Sequence, residues 1–566
     1  MRRLRSALPE GSPRWAARLA HWRVLGLEPD ALEKPKIAVV NSSAELAVCY
    51  SHLDTVAQRV KAAIRRAGGI PFEIRTVAPS DFITSVGAAG GYILSARDLI
   101  AFDIEVMVEG AMLDGMICLS SCDKTLPGHL IAAARLDIPT LILPCGYQPH
   151  GHCAGEPVDV EDIFIRASQY LIAPDPDLLS WIRACAPCSI AGPGVCSGLG
   201  TANTMHMLAE ALGMALFGTT PVRALSPKFW ETVERAGSRI VELVMHDVRP
   251  SRILSPSAFR NAIAVLLAIG GSLNAVKHLQ AIATAGNIDI DVFAELQALY
   301  ERVPLLTEVR PNGTTSIEDL ERAGGTAAVL RELSPLLDLR CDTIDGRSLG
   351  ELVGSMESID PHVIGSLAYP KRPRSTLMPV EGSLAPRGAL VRSTAWVQER
   401  RDRRFIGQAM LFDDQSSVLA ALKAQRIPPG TAIILRGLGP RGQAGMGMAG
   451  TAALALASSP LVESCILITD GQISGLINRG LVVAEVTPEA VSEASPLGRL
   501  RDGDRIAVDL EQRRVDVLVD DTILWQREPF QQNEPPPRGW LAVYATLVRD
   551  VRDGALVDGR RERRES

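Results

Sequence analysis

The sequence predicts an α/β fold: an N-terminal, mostly parallel sheet with helices on its faces, a helical middle, and a C-terminal β-rich, barrel-like domain. Three observations carry this. Short apolar, β-branched runs alternate with segments of helical spacing over the first 150 residues. Helical periodicity dominates from about 155 to 340. Beyond about Asp360, short strand-like runs recur between Gly- and Pro-rich turns. At 566 residues the chain exceeds one ordinary domain. The expected division is an N-terminal extension (1–34), an α/β domain (35–365), a β-rich domain (366–555) and a charged tail (556–566).

The elements follow in order. Lys36 to Asn41 is a run of buried-strand type. Residues 51 to 67 place Leu53, Val56, Val60, Ala63 and Ile64 at helical spacing and stop at Gly68-Gly69. Pro71 to Val77 alternates as a strand, Arg97 to Ala111 is helical, and Leu113 to Leu119 is another strand. A helix begins near Leu126-Pro127, where proline suits the first turn. Ile138 to Leu143 is the next strand. Such alternation builds a parallel sheet, which binds ligands at the carboxyl ends of its strands. Further on, Asn203 to Leu216 and Ala258 to Ala283 are helical, the second broken at Gly270-Gly271-Ser272. Strands are expected at Gly388 to Arg392, Gly430 to Arg436 and Ser464 to Thr469, with a hairpin of Ile506 to Leu510 and Val515 to Val519.

Composition narrows the function. Lys plus Arg is 59 and Asp plus Glu is 65, a net charge of −6, so nucleic acid has no electrostatic claim as the main partner. Aromatic residues are only 4%, too few for base-stacking platforms. No apolar run of about 18 residues spans a membrane, and the basic N-terminus lacks a signal-type apolar core. The reading is cytoplasmic, so the ten cysteines are expected to be thiols or metal ligands. Only eight lysines are present, which singles out any lysine beside a cysteine.

Cys185-Ala-Pro-Cys188 is a lone CxxC pair, and His150, His152 and Cys153 are read as a polar surface loop. Cys118, Cys145, Cys341 and Cys465 lie in or beside apolar runs and read as small core residues. Cys49, Cys122 and Cys196 differ. Cys49 follows the first strand. Cys122 follows the Leu113 to Leu119 strand, in Cys122-Asp123-Lys124-Thr-Leu-Pro127-Gly128. Cys196 precedes a helix in a glycine-rich turn. Strand ends and helix starts are where sites form in α/β proteins, and helix N-termini favour thiolate. Three thiolates can hold an iron–sulfur cluster and leave one iron open to act as a Lewis acid.

These passages resemble the dihydroxyacid dehydratase and aldonate (phosphogluconate and sugar-acid) dehydratase family. The signature stretch is Cys122 to Gly128. Thr201-Ala-Asn-Thr-Met205, Ala262-Ile-Ala-Val265, Gly270-Gly-Ser-Leu-Asn274-Ala, Arg302-Val-Pro-Leu-Leu306, Ile468-Thr-Asp-Gly-Gln-Ile-Ser474-Gly475 and Tyr544-Ala-Thr-Leu547-Val match as well. The resemblance runs from roughly residue 35 to 555. It implies that Cys49, Cys122 and Cys196 ligate an iron–sulfur cluster, with 2Fe-2S favoured over 4Fe-4S. It implies Mg²⁺ on Asp81, Asp123 and a carbamylated Lys124, with Ser474 as the general base. Carboxylate and carbamate oxygens suit Mg²⁺, and sulfur suits iron. The implied reaction is loss of water from a 2,3-dihydroxy carboxylic acid to give a 2-keto acid, by a homodimer acting on a small-molecule substrate.

The departures from the family pattern fall on the magnesium and substrate side. Met448, in Gly445-Met-Gly-Met448, stands where the family has a magnesium-ligating glutamate, and a thioether is a poor ligand for that ion. Leu438 replaces another frequent glutamate, Ala44 and Ala47 replace polar residues before Cys49, and Val86-Gly87-Ala88 lacks the expected histidine. Leu476 and Ile477 replace small or polar positions, with one residue inserted before Arg479. Two readings follow: a working dehydratase with a less polar substrate, or an impaired paralogue that keeps its cluster for structural, redox-sensing or partner-subunit work. The intact Cys122-Asp123-Lys124 and Ser474 favour the first.

Overall fold

A computed structural model describes all residues except 1–3, 85–86, 356–359, 393–402, 476, 478, 533–536 and 559–566. Four parallel strands form the N-terminal sheet: β1 (Lys36–Asn41), β2 (Ile70–Arg75), β3 (Gly115–Ser120) and β4 (Thr140–Pro144), in the order β2-β1-β3-β4. β1 and β3 are buried along their whole length, as strands covered on both faces must be. The helix Leu53–Arg66 lays its apolar stripe, Leu53, Val56, Ala57, Val60, Ala63 and Ile64, into this core. Each large apolar side chain so buried contributes about 1.5–3 kcal/mol. The helix Pro227–His246 crosses it at Gly237, where a Cβ would lie 2.4 Å from the Ala63 Cβ, so only glycine permits the approach.

The helices Gly91–Ala111 and Thr125–Leu136 pack together, the latter starting where Pro127 marks it. Arg97, fully buried, pairs with Asp98 at 3.0 Å and donates to the carbonyls of Gly554 and Ala555. The described start of the expected charged tail packs onto the fold, with Leu556 and Val557 buried. The long helical run of the middle is two helices, Pro256–Ala268 and Asn274–Ala285, broken at the expected glycines.

The stretch read as a polar loop forms a small hairpin, β5 (Gly151–Cys153) with β6 (Glu156–Val158). There Cys153 is disulfide-bonded to Cys185, so these two are neither the thiols nor the ligands expected, and Cys185 pairs outside its CxxC. Folding brings the Pro176–Cys185 helix against the hairpin, a contact that no spacing rule across 32 residues signals.

The C-terminal half is an eight-stranded sheet nearly closed into a barrel. Its strands are β7 (Leu377–Val380), β8 (Ala389–Arg392), β9 (Arg404–Phe412), β10 (Thr431–Leu435), β11 (Ile466–Thr469), β12 (Leu481–Ala484), β13 (Arg505–Asp509) and β14 (Arg514–Val517). They run in the order β14-β13-β9-β10-β11-β12-β8-β7, with β9 to β12 mutually parallel. Beyond β7, Glu381 exchanges backbone hydrogen bonds with Arg513 and Val515, drawing the two edges together. Among the described residues no helix is long and apolar enough to cross a membrane.

Candidate active site

The site lies where the carboxyl ends of β1 and β3 face those of β10 and β11. Cys49 belongs to the segment after β1, and Cys122, Asp123 and Lys124 to the turn after β3. Met448 and Ser474 follow β10 and β11. Asp81, Asp123, Cys196, Asn274, Met448 and Ser474 line one cavity of about 110 Å³, with Thr201, Gln415, Phe164 and Leu454 among its other walls. Residues nearly 400 positions apart thus meet, as expected at strand ends of α/β proteins.

The turn that carries Cys122 is braced from several sides. Ser121 donates through its hydroxyl to the Cys49 carbonyl at 2.5 Å. Thr125 Oγ1 donates to the Cys122 carbonyl at 3.1 Å. His129 Nδ1 bonds the Ser120 hydroxyl at 2.8 Å, and His206 Nε2 bonds the Ser121 carbonyl at 3.0 Å. Burial pushes His129 down to about 3 and His206 down to about 4, so both are neutral braces. The Cys196 loop is held by Asn203, whose amide donates to the carbonyls of Cys196 and Gly198.

The three predicted cysteines share one neighbourhood. A hydrogen bond to Cys49, then burial, pushes the Cys122 thiol well above its usual range, and Asp123 and Asp81 add to that. Cys196 is partly exposed as a residue, yet burial of its thiol, then Asp123 and Cys49, drives it well above its usual range. Burial and the neighbouring Asp81 raise Asp123 to about 7. Lys124 has no exposed side-chain surface, and its Nζ lies 3.3 Å from Asp81 Oδ2 and 3.7 Å from Asp123 Oδ2. Burial alone would lower this ammonium, but the two carboxylates outweigh it and hold it above the usual lysine range. Acidic groups are therefore crowded against one another around a single lysine. As the side chains stand, no group of three or more His, Cys, Asp or Glu among the described residues closes on one ion.

The structure also brings in residues that sequence reasoning left without a role. Thr201 shares a hydrogen bond with the Asp123 carboxylate, and its hydroxyl lies 2.9 Å from that of Ser272. Asn274 Nδ2 donates to Thr201 Oγ1 and to the Ile473 carbonyl, each at 3.2 Å, and Ile473 precedes Ser474. Thr201 and Asn274 stood inside matched motifs, which was the available signal. Gln415 and Phe164 carried none.

Two family models match the chain, the dihydroxy-acid/6-phosphogluconate dehydratase N-terminal region over residues 34–352 and the corresponding C-terminal region over 362–555. The chain belongs to the dihydroxy-acid/6-phosphogluconate dehydratase family. A dihydroxy-acid dehydratase of Ignicoccus hospitalis is 37% identical over 552 residues, covering 96% of this chain and 98% of the relative. One from Methanothrix thermoacetophila is 35% identical, covering 98% and 100%, and one from Caldicellulosiruptor bescii 36%, covering 95% and 97%.

Within this dehydratase framework the departures separate by position. Met448 lines the cavity itself. Leu438 does not: it is buried behind, where its amide donates to Asp470 Oδ1 at 2.9 Å. Ile477 is fully buried, and Ala44 and Ala47 pack partly buried against the core. Leu476 and Val86 lie outside the described residues.

Proposed function

We propose that the chain is an iron–sulfur-dependent hydro-lyase that removes water from a short 2,3-dihydroxy carboxylic acid to give the 2-keto acid. One observation carries the reading: Cys196, Asp81, Asp123 and Ser474 open on a single cavity, with Cys49 and Cys122 in electrostatic contact with them.

The donor set fits the groups the family uses. Burial raises Cys196 and Asp123, a hydrogen bond to Cys49 and then burial raise Cys122, and the neighbouring negative charges add to all three; bound cations would offset this, and sulfur donors suit iron as carboxylates suit magnesium. Cys49, Cys122 and Cys196 would hold an iron–sulfur cluster, 2Fe-2S by preference and 4Fe-4S as the alternative. Asp81, Asp123 and a carbamylated Lys124 would hold Mg²⁺. Bound there, these groups supply Lewis acidity to the substrate's carboxylate and hydroxyls.

The chain's own residues do the rest. Ser474 Oγ, as the alkoxide, takes the proton from C2, the C2–H electron pair forms the C2=C3 bond as the C3–O bond breaks, and the departing hydroxide takes that same proton from Ser474 to leave as water. The resulting enol tautomerises to the 2-keto acid. Thr201, bonded to Asp123, holds that carboxylate in place. Phe164, Met448 and Leu454 make one wall apolar, which excludes water and suits an aliphatic chain. No Arg, Lys or His stands among the described lining residues, which favours an unphosphorylated acid over a phosphorylated one. The protein is read as a cytoplasmic homodimer.

Met448 supports a second reading. It puts a thioether in the cavity where a carboxylate would bind magnesium, which favours a paralogue of weakened activity. The test is turnover after anaerobic cluster reconstitution with Mg²⁺, using 2,3-dihydroxyisovalerate, an aldonate and 6-phosphogluconate. Formation of the 2-keto acid from the aliphatic substrate is expected. No turnover of any, with cluster content verified, decides for the impaired paralogue.

A further inference from the structure

Behind the cavity lies a buried ion pair. Lys277 Nζ stands 2.5 Å from Glu485 Oε1, with side-chain exposures of 0% and 1%. The pair joins the Asn274–Ala285 helix of the N-terminal half to the residue after β12 of the C-terminal half. Burying both charges costs several kcal/mol per ion, and a pair of apolar residues would serve the fold as well or better. Glu485 also has φ +55°, a left-handed conformation uncommon for any residue but glycine. The fold therefore carries two costs at one spot that packing alone does not explain.

Hydrogen-bond chemistry gives the reason. Lys277 Nζ also donates to Asn274 Oδ1 at 2.5 Å. An ammonium has three donors and no acceptor, so only the oxygen of the Asn274 amide can face it. The amide's NH₂ is then forced toward the cavity, where it donates to Thr201 Oγ1 and to the Ile473 carbonyl. A flipped amide would set oxygen against the oxygen of Ile473. Glu485 in turn fixes where the ammonium lies.

We infer that Lys277 and Glu485 are positioning residues for the dehydration reaction: they lock the Asn274 amide so that it holds Ser474, through Ile473, and Asp123, through Thr201, in one geometry. This rests on the assignment of Ser474 as the base.

The test is the volume-conserving double variant Lys277→Met/Glu485→Met in the reconstituted enzyme, beside Ser474→Ala. Removing both charges leaves neither one buried alone, so the fold is retained. The expected result is a Tm close to the parent's, a kcat lower by about 10²-fold and a KM changed less than about threefold, since misplacement near 1 Å costs that much. A crystal structure of the double variant should show the Asn274 amide turned from the Ile473 carbonyl. Parent-like kcat with Asn274 unmoved overturns the inference while Ser474→Ala stays inactive. A kcat loss explained by a falling Tm overturns it too, leaving a purely structural pair. A Ser474→Ala enzyme that still turns over removes the base assignment and this inference with it.

Discussion

Two substitutions at Lys124 separate its electrostatic role from its proposed role as a carbamate. In the protein without metal its ammonium offsets two buried carboxylates, at 3.3 Å from Asp81 and 3.7 Å from Asp123. At an effective dielectric constant of about 20, each contact contributes roughly 4–5 kcal/mol before desolvation is subtracted. Removing one partner of a buried pair leaves the others uncompensated and costs about 3–5 kcal/mol. Lys124→Met should therefore destabilise the metal-free protein by about that amount, read as a lower Tm in a thermal melt. It should also raise Asp123 further, because the lysine, with a hydrogen bond from Thr201, opposes burial and Asp81 there. Lys124→Arg keeps the charge, so most of the stability should return. A guanidinium does not carry the proposed carbamate, so turnover should still be lost, and intact-protein mass spectrometry should show the mass of CO₂ only on the parent. A Lys124→Met protein within about 1 kcal/mol of the parent would refute the electrostatic account. An active Lys124→Arg enzyme would refute the carbamate.

Three further outcomes are expected. Serine in place of Cys49, Cys122 or Cys196 should abolish iron binding in anaerobic reconstitution, while Cys188→Ser, an exposed thiol outside the site, should leave iron content unchanged. Met448→Glu should strengthen Mg²⁺ binding and raise turnover by about 10-fold or more, read from magnesium titrations of the rate. Acid should loosen the Cys122 turn: His129 and His206 have folded values of about 3 and 4 against 6.5, so the unfolded chain takes up protons that the folded chain refuses. Their contribution is full above pH 6.5 and is lost as pH falls toward 4, and Tm should drop across that window. A Tm flat from pH 7 to 4.5 would contradict it.

The N-terminal sheet was legible because its signals are local. β1, β3 and β4 are apolar runs, β2 shows as alternation, and Pro127 and Gly270-Gly271 mark helix boundaries that the structure keeps. β9 was not anticipated, since Arg404–Phe412 is covered unevenly and its exposure does not alternate cleanly. β12 is four residues long, too short for a period to declare itself. The strand order that nearly closes the barrel is non-local and leaves no trace in spacing.

The site divides in the same way. Cys49, Cys122 and Cys196 stood out by their places at strand ends and a helix start, while their ligand role and Asp81, Asp123, Lys124 and Ser474 were reached through motif resemblance. Asn274 to Ile473 spans 199 positions, and no local pattern encodes that contact. Lys277 did leave a signal: it is one of only eight lysines and stands on the apolar run from Ala275 to Ala285. A charge at such a position requires a buried partner, and Glu485 is that partner. The Cys153–Cys185 disulfide was missed because the cytoplasmic reading set disulfides aside.

The proposed function rests on Cys49, Cys122 and Cys196 together holding an iron–sulfur cluster. Its most direct test is the iron and acid-labile sulfide content of anaerobically purified protein, taken with its electronic absorption spectrum. Iron and sulfide in equal amounts with sulfur-to-iron charge-transfer bands, both lost in Cys122→Ser, are the expected result. Protein that binds no iron, before or after reconstitution, would contradict it.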